Sequence, residues 1–157
     1  MEVQIRKGRP EDAAGLGEVL RSVDWLTSII EMTVEGLQAQ ISRGLELSLT
    51  DGSHFLLVAE TGAGRLLGYA AVHWLPCLFL EGGEGYVSEV FVHKAARGTG
   101  IGTQLIESIK VEARKRGCSR LMLINGRTRE SYQRGFCKKR GWREREHMAN
   151  FIYELKV

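Results

Sequence analysis

The stretch from Tyr86 to Arg116, YVSEVFVHKAARGTGIGTQLIESIKVEARKR, constrains this chain more than any other. Its first part, Tyr86 to His93, is short and rich in β-branched and aromatic residues, the make-up of a buried strand. Its last part repeats Ile101, Leu105, Ile109 and Ala113 at four-residue steps, with Gln104, Glu107, Lys110, Arg114 and Lys115 on the other side and Gly117 as a stop, so it reads as a helix. Between them Gly98, Gly100 and Gly102 alternate behind Arg97. Glycine lets the backbone turn sharply and removes the Cβ atoms that would hold a ligand away from the first helical amides. Those amides and the helix dipole make an anion site, worth about 0.3–1 kcal/mol per charge from the dipole alone. The natural guest is a phosphate or pyrophosphate.

Three kinds of phosphate-binding loop compete for this pattern. A nucleotide triphosphatase loop needs Gly-Lys-Ser/Thr, and Thr103 follows Gly102 with no lysine. A dinucleotide fold needs a further glycine where Thr103 stands and an acidic end to the next strand, whereas Cys118 to Ile124 runs into Asn125. The third pattern, R-x-x-G-x-G after a strand and at the head of a helix, is met by Arg97, Gly100 and Gly102. It resembles the acetyl-CoA signature of the GNAT N-acetyltransferase superfamily. A plain strand-to-helix turn that binds nothing would not call for three glycines beside an arginine.

The 157 residues suit one domain over 1–157 with one buried core. Hydrophobic content of 43% and charged content of 26% are those of a soluble globular protein. No apolar run approaches the ~20 residues of a membrane span, and M-E-V-Q-I-R-K lacks the core of a signal peptide, so the expected place is the cytoplasm. Cys77, Cys118 and Cys137 are odd in number and contain no C-x-x-C pair, which argues against disulfides and zinc; no metal is expected. A net charge of +3 could help hold a polyanionic cofactor but, scattered and without interleaved aromatics, does not argue for nucleic acid.

In chain order, Val3 to Arg6 reads as a strand, and a helix begins near Pro10 with Leu16, Val19, Leu20 and Val23 as its buried stripe. A second helix covers Val34 to Leu45, with Leu37, Ile41 and Leu45 inward and Thr33 as N-cap. The apolar link Asp24 to Met32 either packs into the core or overhangs an acceptor pocket. His54 to Glu60 and Leu66 to Leu75 are strands around a hairpin turn, and Glu81 to Gly85 is a turn into the strand at Tyr86. Ser119 to Ile124 is a strand parallel to Tyr86–His93, because a helix joins them. Arg129 to Lys139 reads as a helix and His147 to Leu155 as a last strand. The order β-α-α-β-β-β-α-β-α-β in an α/β mixed sheet resembles the GNAT acyl-CoA N-acyltransferase fold along the whole chain, most specifically over Glu89 to Gly102 and Phe136 to Trp142.

The resemblance implies a reaction: an acetyl-CoA-dependent N-acetyltransferase moving acetyl to a primary amine directly in a ternary complex. It implies that the fourth and fifth strands splay, that the pantetheine arm pairs with the backbone of Phe91, Val92 and His93, and that the amides of Arg97, Gly98, Thr99, Gly100, Ile101, Gly102 and Thr103 cradle the pyrophosphate. Asn125 is a candidate contact for the arm. Glu89 stands where the superfamily often carries the general base, and burial among Val, Tyr and Phe would raise its pKa toward a useful range; against this, it could face solvent or pair with an arginine. His73 and His93 are weaker choices. The superfamily often protonates the leaving thiolate with a tyrosine that here is replaced by Cys137, in Phe136-Cys137-Lys138-Lys139-Arg140-Gly141-Trp142. Either Cys137 is the acid, or water is, or the chain is a non-catalytic acyl-CoA-binding or sensor module. Tyr132, five residues from Cys137, is expected to pack on Phe136 instead. Candidate acceptor-binding residues are Trp25, Leu26, Ile29 and Tyr86, and Glu81 and Glu84 could attract a cationic amine. The expected partner is a small-molecule or peptide amine, with no nucleic acid or membrane and a homodimer left open.

Overall fold

The computed structural model describes residues 2–155, which fall into two compact units, one running to Leu123 and the other from Ile124. The first is built on a five-stranded sheet in the order β1-β2-β3-β4-β5: β1 Val3–Lys7, β2 His54–Thr61, β3 Leu66–Leu75, β4 Glu84–Val92 and β5 Arg120–Leu123. The first four strands pair antiparallel, and β4 pairs with β5 in parallel, as the intervening helix required.

Period-two alternation sorts the sheet into two faces. Leu56, Val58, Tyr69 and Phe91 pack with α1 (Ala13–Arg21) and α3 (Val34–Leu49), through Leu16, Val19, Ile41 and Leu45. The other face, including buried Leu57, Ala59, Ala70 and Val72, meets α4 (Ile101–Lys115), whose Ile101, Leu105, Ile106, Ile109 and Ala113 are all buried. Gly68 lies where α4 comes closest: a Cβ there would stand 2.8 Å from the Phe91 carbonyl and 3.2 Å from Ile101. The predicted stripes and the Thr33 cap, which accepts the Gly36 N–H at 3.0 Å, are all present.

Several boundaries differ from expectation. α3 runs on to Leu49, β4 begins at Glu84, and the Asp24–Met32 link contains a helical turn, α2 (Thr27–Ile30). In the second unit the predicted Arg129–Lys139 helix is cut to α5 (Glu130–Gln133) and a 3-10 turn at Lys138–Arg140, because Gly135 between them takes φ +69°. The strand predicted over His147–Leu155 does not form, and its side chains stand exposed.

Candidate active site

A bulge in β4 organises the site. Ala71 on β3 faces Glu89 and the next residue, Val72, faces Val87, so Ser88 is an extra residue on β4. Strict alternation would have placed Glu89 on the side of Val87, under α4. The bulge reverses the parity, so Glu89 and Phe91 share a face with Tyr69 and Ala71. The β4–β5 ladder stops at the same place: its last pair is Val87 with Leu123, and from Ser88 to Val92 β4 has no strand on that side among the described residues. β5 itself ends at Leu123, every one of its four residues paired, so β4 runs on alone beyond the parallel ladder.

Which main-chain groups face the opening follows from one hydrogen bond. The His93 N–H donates to the Leu67 carbonyl of β3 at 2.8 Å. Antiparallel alternation then turns Phe91 toward β3 and leaves the N–H and C=O groups of Val90 and Val92 on the open side. Of the expected trio only Val92 offers its backbone to that edge, and Val90, which sequence reasoning missed, joins it. A strand's hydrogen-bonding parity is legible only once its partner and register are known. The His93 ring is also engaged, its Nδ1 accepting the Ala95 N–H at 3.2 Å.

The open edge leads through a 3-10 turn at Lys94–Ala96 into the glycine loop. Gly98 and Gly100 have φ +80° and +90°, and a Cβ at either would point into open space. Gly100 caps α4 with no side-chain acceptor, and the first intrahelical bond runs from the Gln104 N–H to the Gly100 carbonyl at 3.0 Å. The Ile101 and Gly102 amides therefore precede the helical ladder. Arg97 beside them is exposed, and the Thr99 hydroxyl donates to the Ala96 carbonyl at 2.7 Å. Positive-φ glycines without Cβ atoms, uncapped amides and a free strand edge fit a diphosphate joined to an amide-bearing arm, which is the chemistry of coenzyme A.

On the face opposite α4, the Tyr69 hydroxyl donates to Glu89 Oε2 at 2.5 Å. Glu89 itself is exposed, so the burial expected to tune it is absent. Tyr69 is the buried partner: burial, then the Glu89 charge, push its phenol well above the ordinary value and keep it a donor. Phe91 lies 5.7 Å from Tyr69 and 5.7 Å from Trp25, centroid to centroid. Trp25 belongs to a segment moored near the end of β4, where the Lys94 N–H donates to Ser22 Oγ at 3.1 Å and Lys94 pairs with Asp24 at 2.8 Å. In the apolar link Trp25 is exposed beside Phe91, while Leu26 and Ile29 are half-buried.

Behind Glu89 on this face, His73 Nε2 lies 2.9 Å from the Ser88 hydroxyl and its ring is edge-on to His54 at 4.8 Å. Burial pulls the His73 pKa below its ordinary value, with His54 adding and Glu89 opposing. Tyr86 stands next to it, ring centroids 6.1 Å apart. Glu84 is not a surface lure for an amine: it is buried and paired with Arg120, while Glu81 is exposed.

In the second unit, burial pushes the Cys137 thiol up, against a hydrogen bond with Asn125 and the charge of Arg140. Ser131 Oγ donates to Asn125 Oδ1 at 3.3 Å. Tyr132 is engaged through its hydroxyl, which donates to Glu144 at 2.9 Å, and Arg140 covers Phe136 at 4.0 Å.

A mixed sheet whose fourth strand pairs in parallel with a short fifth and runs on past it toward a glycine turn at the head of α4 is that of the acyl-CoA N-acyltransferase class of fold. The chain belongs to the acetyltransferase (GNAT) family, whose model matches residues 24–142. Among curated proteins it is 32% identical to glucosamine 6-phosphate N-acetyltransferase 1 of Oryza sativa subsp. japonica, over 59% of this chain and 55% of that one. It is 41% identical to an IAA acetyltransferase of Azospirillum brasilense, over 41% of this chain and 39% of that one. The chain thus matches about half or less of the length of these relatives. A solved structure, described as a transcriptional regulator from Bacillus halodurans C-125, superposes with a TM-score of 0.83 at 26% identity, covering 98% of this chain and all of that one.

Proposed function

We propose that this protein transfers an acetyl group from acetyl-CoA to a primary amine, both bound together at the open edge of β4. The observation that carries this reading is the stretch Ser88–Val92 of β4, which has no strand on its outer side among the described residues and leads through the Lys94–Ala96 turn into the glycine-lined start of α4.

When bound, acetyl-CoA supplies an activated thioester carbonyl. The amides of Gly98 to Thr103 would hold its diphosphate, with Arg97 adding charge, and the main-chain groups of Val90 and Val92 would pair with the pantetheine amides. Preorganised backbone donors of this kind, aimed at developing negative charge, are worth about 2.7–4 kcal/mol when removed elsewhere. Glu89 accepts the amine proton. Tyr69 fixes Oε2 and leaves Oε1 for the incoming ammonium. Trp25 over Phe91, with Tyr86 further along the same face, would contact the acceptor. Cys137, held protonated by burial, is assigned as donor to the leaving thiolate, and Asn125 as a contact for the arm. Direct transfer rather than a cysteine-bound acyl group is supported by the thiols: burial pushes both Cys118 and Cys137 away from the reactive thiolate. The family match crosses from the first unit into the second, which supports one catalytic domain over 1–157. No helix among the described residues is long and apolar enough to cross a membrane, and cytoplasmic residence is proposed with the rest.

Calorimetry with acetyl-CoA tests the cofactor assignment: the native chain should bind and Gly100→Glu should not, and equal binding would overturn it. Free-thiol release across amines, glucosamine 6-phosphate and peptide N-termini among them, then tests turnover. Cys137 in the position of the usual tyrosine favours one second reading, a non-catalytic acyl-CoA sensor. Binding without turnover of any acceptor would select it.

A further inference from the structure

The end of the sheet away from the glycine loop holds a cleft of about 610 Å³ that the acetyl-transfer reading leaves unused. Its walls come from the turn before β2, the end of β3, the link of residues 76–83 into β4 and the C-terminal end of α4, all within the first unit. A volume of this size lies within the ~300–1,000 Å³ of small-molecule sites. The frame is preformed, because two glycines press the link against its neighbours. Gly82 and Gly83 both take φ +75°; a Cβ on the first would run into the Gly117 carbonyl, and one on the second would stand 2.6 Å from the Leu75 carbonyl. The Ser119 N–H and hydroxyl hold the Gly83 carbonyl at 3.1 and 3.0 Å.

The polar groups of this lining are lopsided. Its acceptors are already engaged: the carbonyls of Gly52, Ser53, Cys77 and Leu80 take the Arg116 guanidinium and the N–H groups of Trp74, Leu80 and Gly83 at 2.8–3.4 Å. The Glu84 carboxylate is buried against Arg120. Two donors are left over. Arg116 uses Nε on Glu112 and Nη1 on Gly52, and its Nη2 makes no hydrogen bond among the described residues. The Trp74 indole N–H is buried and has no partner among them either. The guanidinium lies 4.8 Å from the Trp74 ring centroid, so the two unused donors are neighbours. A buried donor without an acceptor is unfavourable and calls for an explanation. The rest of the wall, Leu75, Pro76, Leu78 and Leu80, is apolar.

We infer that this cleft binds a small carboxylic acid with a bulky apolar body. Its two carboxylate oxygens accept from Arg116 Nη2 and Trp74 Nε1, and its body lies along the leucines and Pro76. A carboxylate suits the pair better than a neutral acceptor, because hydrogen bonds to an ionised group are about twice as strong. The indole N–H is closed to solvent beneath the guanidinium, whose side chain is 31% exposed, so Arg116 shifts with the carboxylate as it enters. The 15 residues of α4 put about 22 Å between this cleft and the glycine loop. The acid and acetyl-CoA therefore occupy the chain together, and the inference stands apart from the acetyl-transfer reading.

Calorimetry on the full chain with naphthoate as the probe tests it, without coenzyme A and with coenzyme A in excess. Naphthoate should bind once per chain with a Kd below about 1 mM in both conditions. Naphthylmethanol, which keeps the apolar body and lacks the charge, should bind about tenfold more weakly. Trp74→Phe, which keeps a ring and removes the N–H, and Arg116→Gln should each weaken naphthoate by about tenfold, the size of a hydrogen bond to a charged group. Leu78→Glu alters a fully exposed side chain on the cleft and carries the test where either of those variants fails to fold. It should repel naphthoate and spare the alcohol. Absence of saturable binding overturns the inference and leaves the indole N–H to solvent. So does an alcohol that binds as tightly as the acid, displacement of naphthoate by coenzyme A, or folded variants that bind it like the native chain.

Discussion

At the scale of single residues, the proposed chemistry turns on Glu89 and what holds it. Sequence reasoning found the residue because a carboxylate in a strand of Val, Tyr and Phe is conspicuous, but it left open whether Glu89 is buried or faces solvent, and the structure shows it exposed. The displaced parity comes from Ser88, and nothing in Tyr86–His93 announces a bulge: serine is an ordinary strand residue, and the extra position exists only relative to β3. Once exposed, Glu89 depends on Tyr69 for orientation rather than on burial for tuning. Glu89→Gln should lower kcat about 10²- to 10⁴-fold, the usual range for losing a positioned base, with the unfolding midpoint unchanged because the side chain packs against little. Tyr69→Phe should lower kcat less and leave KM for acetyl-CoA unaltered, since it keeps the buried ring and removes only the hydroxyl that donates to the carboxylate. Steady-state kinetics on both variants decides; an inactive Tyr69→Phe beside an active Glu89→Gln would make the phenol, not the carboxylate, the reacting group. If Cys137 is the proton donor, Cys137→Ser should slow turnover more than Cys137→Tyr, which restores a phenol of ordinary pKa ~10.

At the scale of elements, what was legible is what local sequence decides alone. β3 is found at its predicted bounds and the α1, α3 and α4 stripes face the core as read, Leu20 and Ile41 being half-buried, because periodicity reports which side of an element faces the core. What was not legible is the parity of Val90 and Val92, which depends on the partner strand, and the break at Gly135. The glycine loop belongs to the first class, and its backbone carries a measurable cost. Gly100 sits at φ +90°, where a Cβ meets no atom but the L-residue backbone is strained. Gly100→Ala should therefore destabilise the fold by about 1–3 kcal/mol with no steric clash to blame. The expected readout is a lowered midpoint in denaturant at unchanged slope, together with weaker acetyl-CoA binding. Unchanged stability would mean that the loop relaxes to another conformation, and the cradle would then have no fixed shape.

At the scale of the whole molecule, the β1 edge of the first unit's sheet carries a charge cluster that ties it to β2 and to the turn into α1. Arg6 of β1 donates to both oxygens of Asp12, at 2.8 and 2.9 Å, and to both oxygens of Glu60 on β2, each at 2.8 Å. Asp12 also accepts the Arg9 N–H at 2.7 Å, which closes the turn into α1. Burial pushes the Asp12 carboxyl up, but the Arg6 hydrogen bonds, the Arg9 N–H and the Arg6 charge outweigh it and hold the pKa below the ordinary 3.8. The sign of the pH dependence follows. The unfolded chain binds the proton more readily than the folded one, so the stability Asp12 contributes is complete above pH 3.8 and is lost as pH falls through the lower folded value. Asp12→Asn removes the charge at every pH. It should destabilise the chain at neutral pH by about 1.5–3 kcal/mol, the range for hydrogen bonds to charged groups. Its stability should also decline less than that of the native chain between pH 5 and pH 2, a window bracketing the ordinary carboxylate pKa of ~3.8. Urea unfolding at a series of pH values measures both. Parallel curves for the native chain and the variant would show that Arg6 is held in place by Glu60 alone.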